Sequence, residues 1–337
     1  MKTKNKQLGG FMKLLEIRDG IIRLCEKHDF FLRMFVKFIL AFVVFVTINN
    51  YIGYCEKIST IPVAIILAFV CSLLPRDTIM WCAMVITLID MYELSIEVAV
   101  ITVLLFVLFI MLYYRFAPKD GILVVISSIA IRYKMGYLVP VGTGLLRNIF
   151  SVIGVTIGTL IFYFLDGVRN NATSLKNVVL ADSEESSTKL TIALDQIFGN
   201  RELAVVLAVT VFATIVVCVI RRKSIDHSWE IAIVAGALTQ VIGYICGYML
   251  IGMLDKAVEV VVGCVAATIF GFILKFFFMN LDYSRTENVQ FEDDSYYYYV
   301  KAIPKKMIKQ EEKTVKHFGN TTNIGKDLTE LTKKDSK

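Results

Sequence analysis

From Ser95 to Tyr114 the chain runs through Ile, Val, Leu and Phe with a single charge, Glu97. Residues 202–220 repeat the pattern up to the cluster Arg221-Arg222-Lys223. A hydrocarbon layer about 30 Å thick is crossed by roughly 20 apolar residues in a helix, because no water is there to satisfy an open backbone. A soluble fold cannot hide several such runs. Composition agrees: hydrophobic residues make up 56% of the 337 positions, charged residues 20%, and mean hydropathy is +0.64. Soluble domains average roughly 45–50% and 25%. The reading is an all-α membrane protein, and the same figures exclude disorder and a disulfide scaffold.

Eight transmembrane helices are expected, at 35–54, 58–74, 78–92, 95–114, 148–164, 202–220, 229–254 and 258–278. Residues 121–146 do not read as an ordinary span. As one helix they would place Arg132 and Lys134 near mid-membrane, at about 2.5–3.5 kcal/mol each. Pro140, Gly142 and Gly144 interrupt the second half. Two half-helices forming a broken hairpin that returns to its starting side fit better; two short spans are the alternative. Such elements persist only where protein or a watery cavity surrounds them.

Lys and Arg in short loops mark the cytoplasmic side. With the hairpin, the eight Lys/Arg of residues 1–35, then Arg76, Arg115, Lys119, Arg147 and Arg221-Arg222-Lys223, all fall on one side. Both termini are then cytoplasmic and the loop 166–201 is external. Residues 1–34 read as an amphipathic cytoplasmic helix, with Leu14, Ile17, Ile21 and Leu24 on one face. Residues 35–278 form the bundle, and 279–337 a soluble tail with a possible strand at 289–304 and disorder beyond Lys306. No cleavable signal peptide is expected.

Candidate chemistry is sparse. Seven cysteines contain no C-x-x-C pair, and three scattered histidines offer no zinc cluster, so neither metal nor cofactor is expected. Walker, G-x-S-x-G and H-E-x-x-H signatures are absent, and the chain is not expected to be an enzyme. The hairpin is the sharpest candidate, because half-helix ends expose unpaired backbone groups that transporters use to hold substrate. Ser127, Ser128, Arg132, Lys134, Gly142 and Thr143 would supply the contacts, beside spans three, four and five. Asp90, Glu93 and Glu97 would share a helical face, but fit a wet turn between spans better. Thr239 and Gln240 read as interhelical hydrogen-bond partners, and Gly154–Gly158 and Gly243–Gly247 as close helix contacts.

The tail carries Tyr296, Tyr297, Tyr298 and Tyr299 between Glu292-Asp293-Asp294 and Lys301, a string of high strand propensity. Such a strand could bind a partner's sheet edge, pair within the chain, or lie against headgroups. With Asp282-Tyr283-Ser284-Arg285 upstream, it resembles the tails of uncharacterised multispanning membrane proteins of Clostridia-type Gram-positive bacteria, some loosely labelled permeases. The resemblance covers about thirty residues and implies a bacterial plasma membrane; it transfers no binding or catalytic residue.

Two functions follow. One is permease-like transport of a small solute; the other is a membrane scaffold recruiting a cytoplasmic partner through the tail, in a setting such as envelope assembly. Partners would include the lipid bilayer and could include a cytoplasmic protein at residues 289–306 and a second copy of the chain. Nucleic acid is not among them.

Overall fold

Helix follows the apolar runs in a computed structural model that describes residues 17–18, 20–21, 23–116, 118, 120–176, 199–279 and 287–302. The helices are α1 Asp29–Tyr51, α2 Ile61–Leu73, α3 Thr78–Leu94, α4 Ile96–Phe116, α5 Gly121–Arg132 and α6 Leu138–Leu146. They continue as α7 Ser151–Asn170, α8 Ala172–Lys176, α9 Arg201–Arg221, α10 Ser228–Ile251 and α11 Ala257–Phe278, with a 3-10 turn at Leu254–Lys256. Strands β1 Glu287–Glu292 and β2 Tyr297–Ala302 form an antiparallel hairpin in the tail.

Among the described residues six helices are long and apolar enough to cross a membrane, not the expected eight: α1, α4, α7, α9, α10 and α11 with its 3-10 turn. The span expected at 58–74 becomes helical only at Ile61, because Ile58 and Ser59 turn back onto the Cys55 carbonyl and Pro62 sits in the first turn. Its 13 residues rise only about 20 Å. The 17 residues of α3 rise about 26 Å before Ser95 turns extended.

Contacts between helix ends give the direction of every segment. At one end lie Arg76, Arg115, Arg147 and Arg221, so it is called the basic end here. Lys37 Nζ reaches the Leu74 carbonyl there at 3.0 Å, and Trp81 packs on Tyr114 with ring centres 6.3 Å apart. Glu230 accepts from Lys275, and Arg222 donates to Asn148 at 2.8 Å. At the opposite end the Cys55 N–H donates to Asp90, Lys256 pairs with Glu202, and Lys134 pairs with Glu259. Thus α1, α3, α5, α7 and α10 run away from the basic end, and α2, α4, α6, α9 and α11 return to it. Both α1 and α11 therefore have their chain-terminal ends at the basic end. Arg18, in the helical turns before α1, donates to the Phe276 carbonyl at 3.5 Å and stacks on the Phe276 ring.

The hairpin is a parallel neighbour of α7 on its outgoing arm. Gly154 faces Asp120 and Leu123, and Gly158 faces Val124 and Ser127. A Cβ on Gly158 would stand 2.3 Å from the Val124 carbonyl oxygen, so only glycine lets these backbones approach so closely. The returning arm α6 packs instead on α9 and α11, where Gly144 faces Val217 and Gly142 faces Phe270. The two arms thus join different cores. One core is built on α1–α5 and α7; the other lies around α6, α9, α10 and α11.

At the base of the hairpin, Asp120 accepts from the Ser151 hydroxyl and pairs with Arg147 at 3.4 Å. The Arg221 guanidinium donates to the Leu145 and Arg147 carbonyls, capping the end of α6. At the tip, Met135 N–H closes onto the Ala130 carbonyl at 2.7 Å with Lys134 in the left-handed region, φ 59°. That is the position glycine usually holds in this helix stop.

One further sequence expectation changes here. Helix α7 runs to Asn170, past the expected end at 164, so Asp166 and Arg169 lie on a helix and not in the external loop. Residues 177–198 of that loop, the residues before 17, and the tail beyond 302 lie outside the described residues.

Candidate functional site

A cavity of about 390 Å³ lies between the two cores, away from the basic end. Its walls come from the tip of α1, both arms of the hairpin, and α7, α9, α10, the 3-10 turn and α11. Depth is polar but neutral: Ser127, Thr159 and Thr210, with Val139, Val155 and Val206 between them. Thr210 and Tyr244 share a hydrogen bond at 3.3 Å.

Tyrosines form the second layer. Tyr137 meets Tyr244 edge-on with ring centres 5.2 Å apart, and Tyr244 stacks on Tyr248 at 5.8 Å. The i, i+4 spacing on α10 puts Tyr244 and Tyr248 on one face. Tyr163 from α7 completes the group and donates to Glu202 at 3.4 Å.

Charge forms the outer layer. Lys256 pairs with Glu202 at 2.6 Å, and Lys134 with Glu259 at 3.0 Å. Arg132 from the hairpin and Arg169 from α7 both lie over the ring of Tyr51, at 4.5 and 4.4 Å from its centre. Arg169 also hydrogen-bonds the Tyr51 side chain, and a guanidinium carries five N–H donors, so one such bond leaves others for a ligand. The Tyr51 hydroxyl donates to Asp166, which also accepts from Asn170 at 3.2 Å.

The structure brings three of the six sequence candidates together at this cavity: Ser127, Arg132 and Lys134. Ser127 spends its hydroxyl on the Leu123 carbonyl. Ser128 points elsewhere, bonding the Val124 and Gly158 carbonyls beside a small apolar void of about 70 Å³. Gly142 packs on Phe270 and Thr143 is buried in α6; neither lines the cavity. Spans three and four contribute no lining residue, because α3 lies behind α5 and α4 behind α7, while α9–α11 form the far wall of the cavity. Arg132 and Lys134 are not stranded in lipid, since the tip lifts both to the level of Tyr51 and Glu259.

Other readings change as well. Asp90 and Glu93 end α3 and Glu97 begins α4, so the break at Ser95 prevents a shared face. Asp90 is no wet-turn residue: it is 1% exposed, with one oxygen bonded to the Cys55 N–H at 3.0 Å and the other without a hydrogen-bond partner among the described residues. Thr239 bonds its own helix at the Ala235 carbonyl, and the buried Gln240 amide has no hydrogen bond among the described residues. Neither bridges two helices. Gly243 and Gly247 do make the close contact expected, against Val209 and Val205 of α9.

Sequence reasoning missed Tyr51, Asp166, Arg169, Glu202, Tyr244, Tyr248, Lys256 and Glu259. The paired tyrosines one turn apart in α10 were the available signal; charges at span ends carry none without the fold. Among the described residues no group of three or more His, Cys, Asp or Glu could hold a metal ion. No protein-family model, curated protein or solved structure matches this chain. What fold and composition define is a multi-pass helical membrane protein with a polar cavity between two half-bundles.

Proposed function

We propose that the chain is a permease-like protein of a bacterial plasma membrane that takes a small solute into this cavity from outside. The observation that carries the reading is the cavity itself: about 390 Å³, lined by tyrosines and charges, and walled on one side by a broken helix pair. Small-molecule sites fall in the range of about 300–1,000 Å³ and combine aromatic walls with few placed polar groups. Broken helices at such depth recur where transporters bind substrate. In this reading the chain traverses the bilayer eight times, α2 and α3 completing their crossings through local thinning and the turn at Cys55–Thr60. The basic end faces the cytoplasm, carrying both termini, as the lysine and arginine distribution favours.

A permease must show the same site to both sides in turn. In a cysteine-free background, Thr210→Cys should react with an impermeant maleimide from outside in intact cells. The same position should also react in inverted vesicles. Labelling from one side alone under every condition would overturn the transport reading.

One observation favours a second reading, the scaffold. The tail hairpin is exposed from Val289 to Val300, with Tyr299 79% exposed and Tyr296, Tyr297 and Val300 uncovered. Its outer edges are open to strand addition by a cytoplasmic partner. Single-sided labelling at Thr210, together with loss of phenotype on removing residues 287–302, would select this reading.

A further inference from the structure

Seven charged groups line the cavity, and their pairing is unequal. Lys134 is matched by Glu259 at 3.0 Å and Lys256 by Glu202 at 2.6 Å. Two guanidiniums, Arg132 and Arg169, then face one carboxylate, Asp166, which is already engaged by the Tyr51 hydroxyl and the Asn170 amide. Among the described residues neither guanidinium forms a salt bridge, and both side chains are exposed to the cavity mouth. Their contact with Tyr51 anchors both, one from the hairpin and one from α7, within 4.5 Å of the same ring centre, and Arg169 also hydrogen-bonds the Tyr51 side chain. A guanidinium so held is pre-organised, and its edge presents parallel donors that match carboxylate and phosphate oxygens.

We propose that Arg132 and Arg169 form an oxyanion site, and that the occupant is a small amphiphile whose carboxylate or phosphate meets this pair while its aromatic or apolar body lies on Tyr137, Tyr244 and Tyr248. This rests on the cavity being a ligand site, and it adds the chemical class of the ligand. The tyrosines line the same cavity as the arginines, and Tyr244 reaches Thr210, so a head group on the pair leaves this aromatic wall for its body. An inorganic anion would leave that wall unused. The same oxyanion chemistry could come from a free solute or from the head group of an anionic lipid.

The test uses the full-length protein in neutral detergent, with phenyl phosphate and benzoate as free probes and benzyl alcohol as the uncharged control. Thermal stabilisation and calorimetric titration should report binding of both anions and not of the alcohol, weakening as salt rises. The double variant Arg132→Gln/Arg169→Gln should bind roughly 10- to 100-fold more weakly, the loss expected for charge-assisted hydrogen bonds. Arg132→Lys/Arg169→Lys keeps charge and fold but loses the fork, and should recover only part. Lys223→Gln, at the basic end, controls for net charge and should bind normally. A second arm compares nanodiscs of phosphatidylglycerol with phosphatidylcholine; arginine-dependent stabilisation by the anionic lipid alone assigns the oxyanion to a lipid head group. Equal binding of benzyl alcohol, or loss of arginine dependence in both arms, overturns the proposal. Binding is read without flux, so a one-sided Thr210→Cys result would remove transport and leave this site standing, while labelling from both sides with no arginine-dependent binding would do the reverse.

Discussion

Glycine at 158 shows how one hydrogen atom decides the neighbourhood of the cavity. Its missing Cβ lets α5 lie against α7, with the Val124 carbonyl where a methyl would stand, 2.3 Å away. Gly154, one turn earlier, has its nearest neighbour at 3.5 Å, an ordinary contact. The two therefore differ although the sequence motif treats them alike. Gly158→Ala should lower stability by about 1–3 kcal/mol through overpacking against backbone, whereas Gly154→Ala should be neutral or slightly stabilising. Thermal midpoints of the two purified variants check this, and equal midpoints would contradict the packing described. Lys134 makes the complementary point: a left-handed lysine costs roughly 1–2 kcal/mol relative to a helical conformation, and the position is held by the helix stop below it and Glu259 beside it.

Among elements, the tail hairpin carries the clearest prediction. Asp293 and Tyr296 exchange backbone hydrogen bonds across the two-residue turn, so alternation places Phe291 and Tyr298 in the next hydrogen-bonded pair. Their rings stack at 4.9 Å. Val289, Val300, Phe291 and Tyr298 share one face, and Tyr297 and Tyr299 take the other. Proline at 298 removes a ladder donor, and a two-stranded sheet has little else to hold it. Tyr298→Pro should therefore leave amides 287–302 exchanging at unprotected rates in hydrogen-exchange mass spectrometry, with α1 to α11 unchanged. Persistent protection there would mean that the strands are held by something other than each other. The tyrosine string reads as one strand in sequence. The fold splits the segment at Asp294-Ser295 and pairs its halves, because Val289–Glu292 upstream offers a matching register.

For the whole molecule, the two half-bundles meet along the hairpin, which belongs to both. This arrangement places both described ends of the bundle at the basic end, and the positive residues predict that end to be cytoplasmic. Single cysteines at Asp255 and Asp294 in a cysteine-free background test the orientation. An impermeant reagent should label Asp255→Cys and spare Asp294→Cys in intact cells, and the reverse pattern would invert the protein in the membrane.

The membrane class, the approximate places of the six long helices and the break within 121–146 were determined by the sequence alone. Each rests on local physics: apolar length against hydrocarbon thickness, and proline and glycine against helix. The count of full-length helices was over-read, because the run 58–74 loses Ile58–Thr60 to a turn and Leu74 to extended backbone, leaving 13 helical residues. What only the tertiary structure decided is the cavity. Arg132 meets Arg169 across Tyr51, and Glu202 meets Lys256, through pairings that join residues 37 to 118 positions apart. Periodicity within one helix says which residues share a face, but it carries no information about which face of another helix will come to rest against it. That choice was made by close packing, where Gly158 of α7 meets α5 and Gly144 of α6 meets α9, and the absence of a side chain admits one neighbour and excludes the rest.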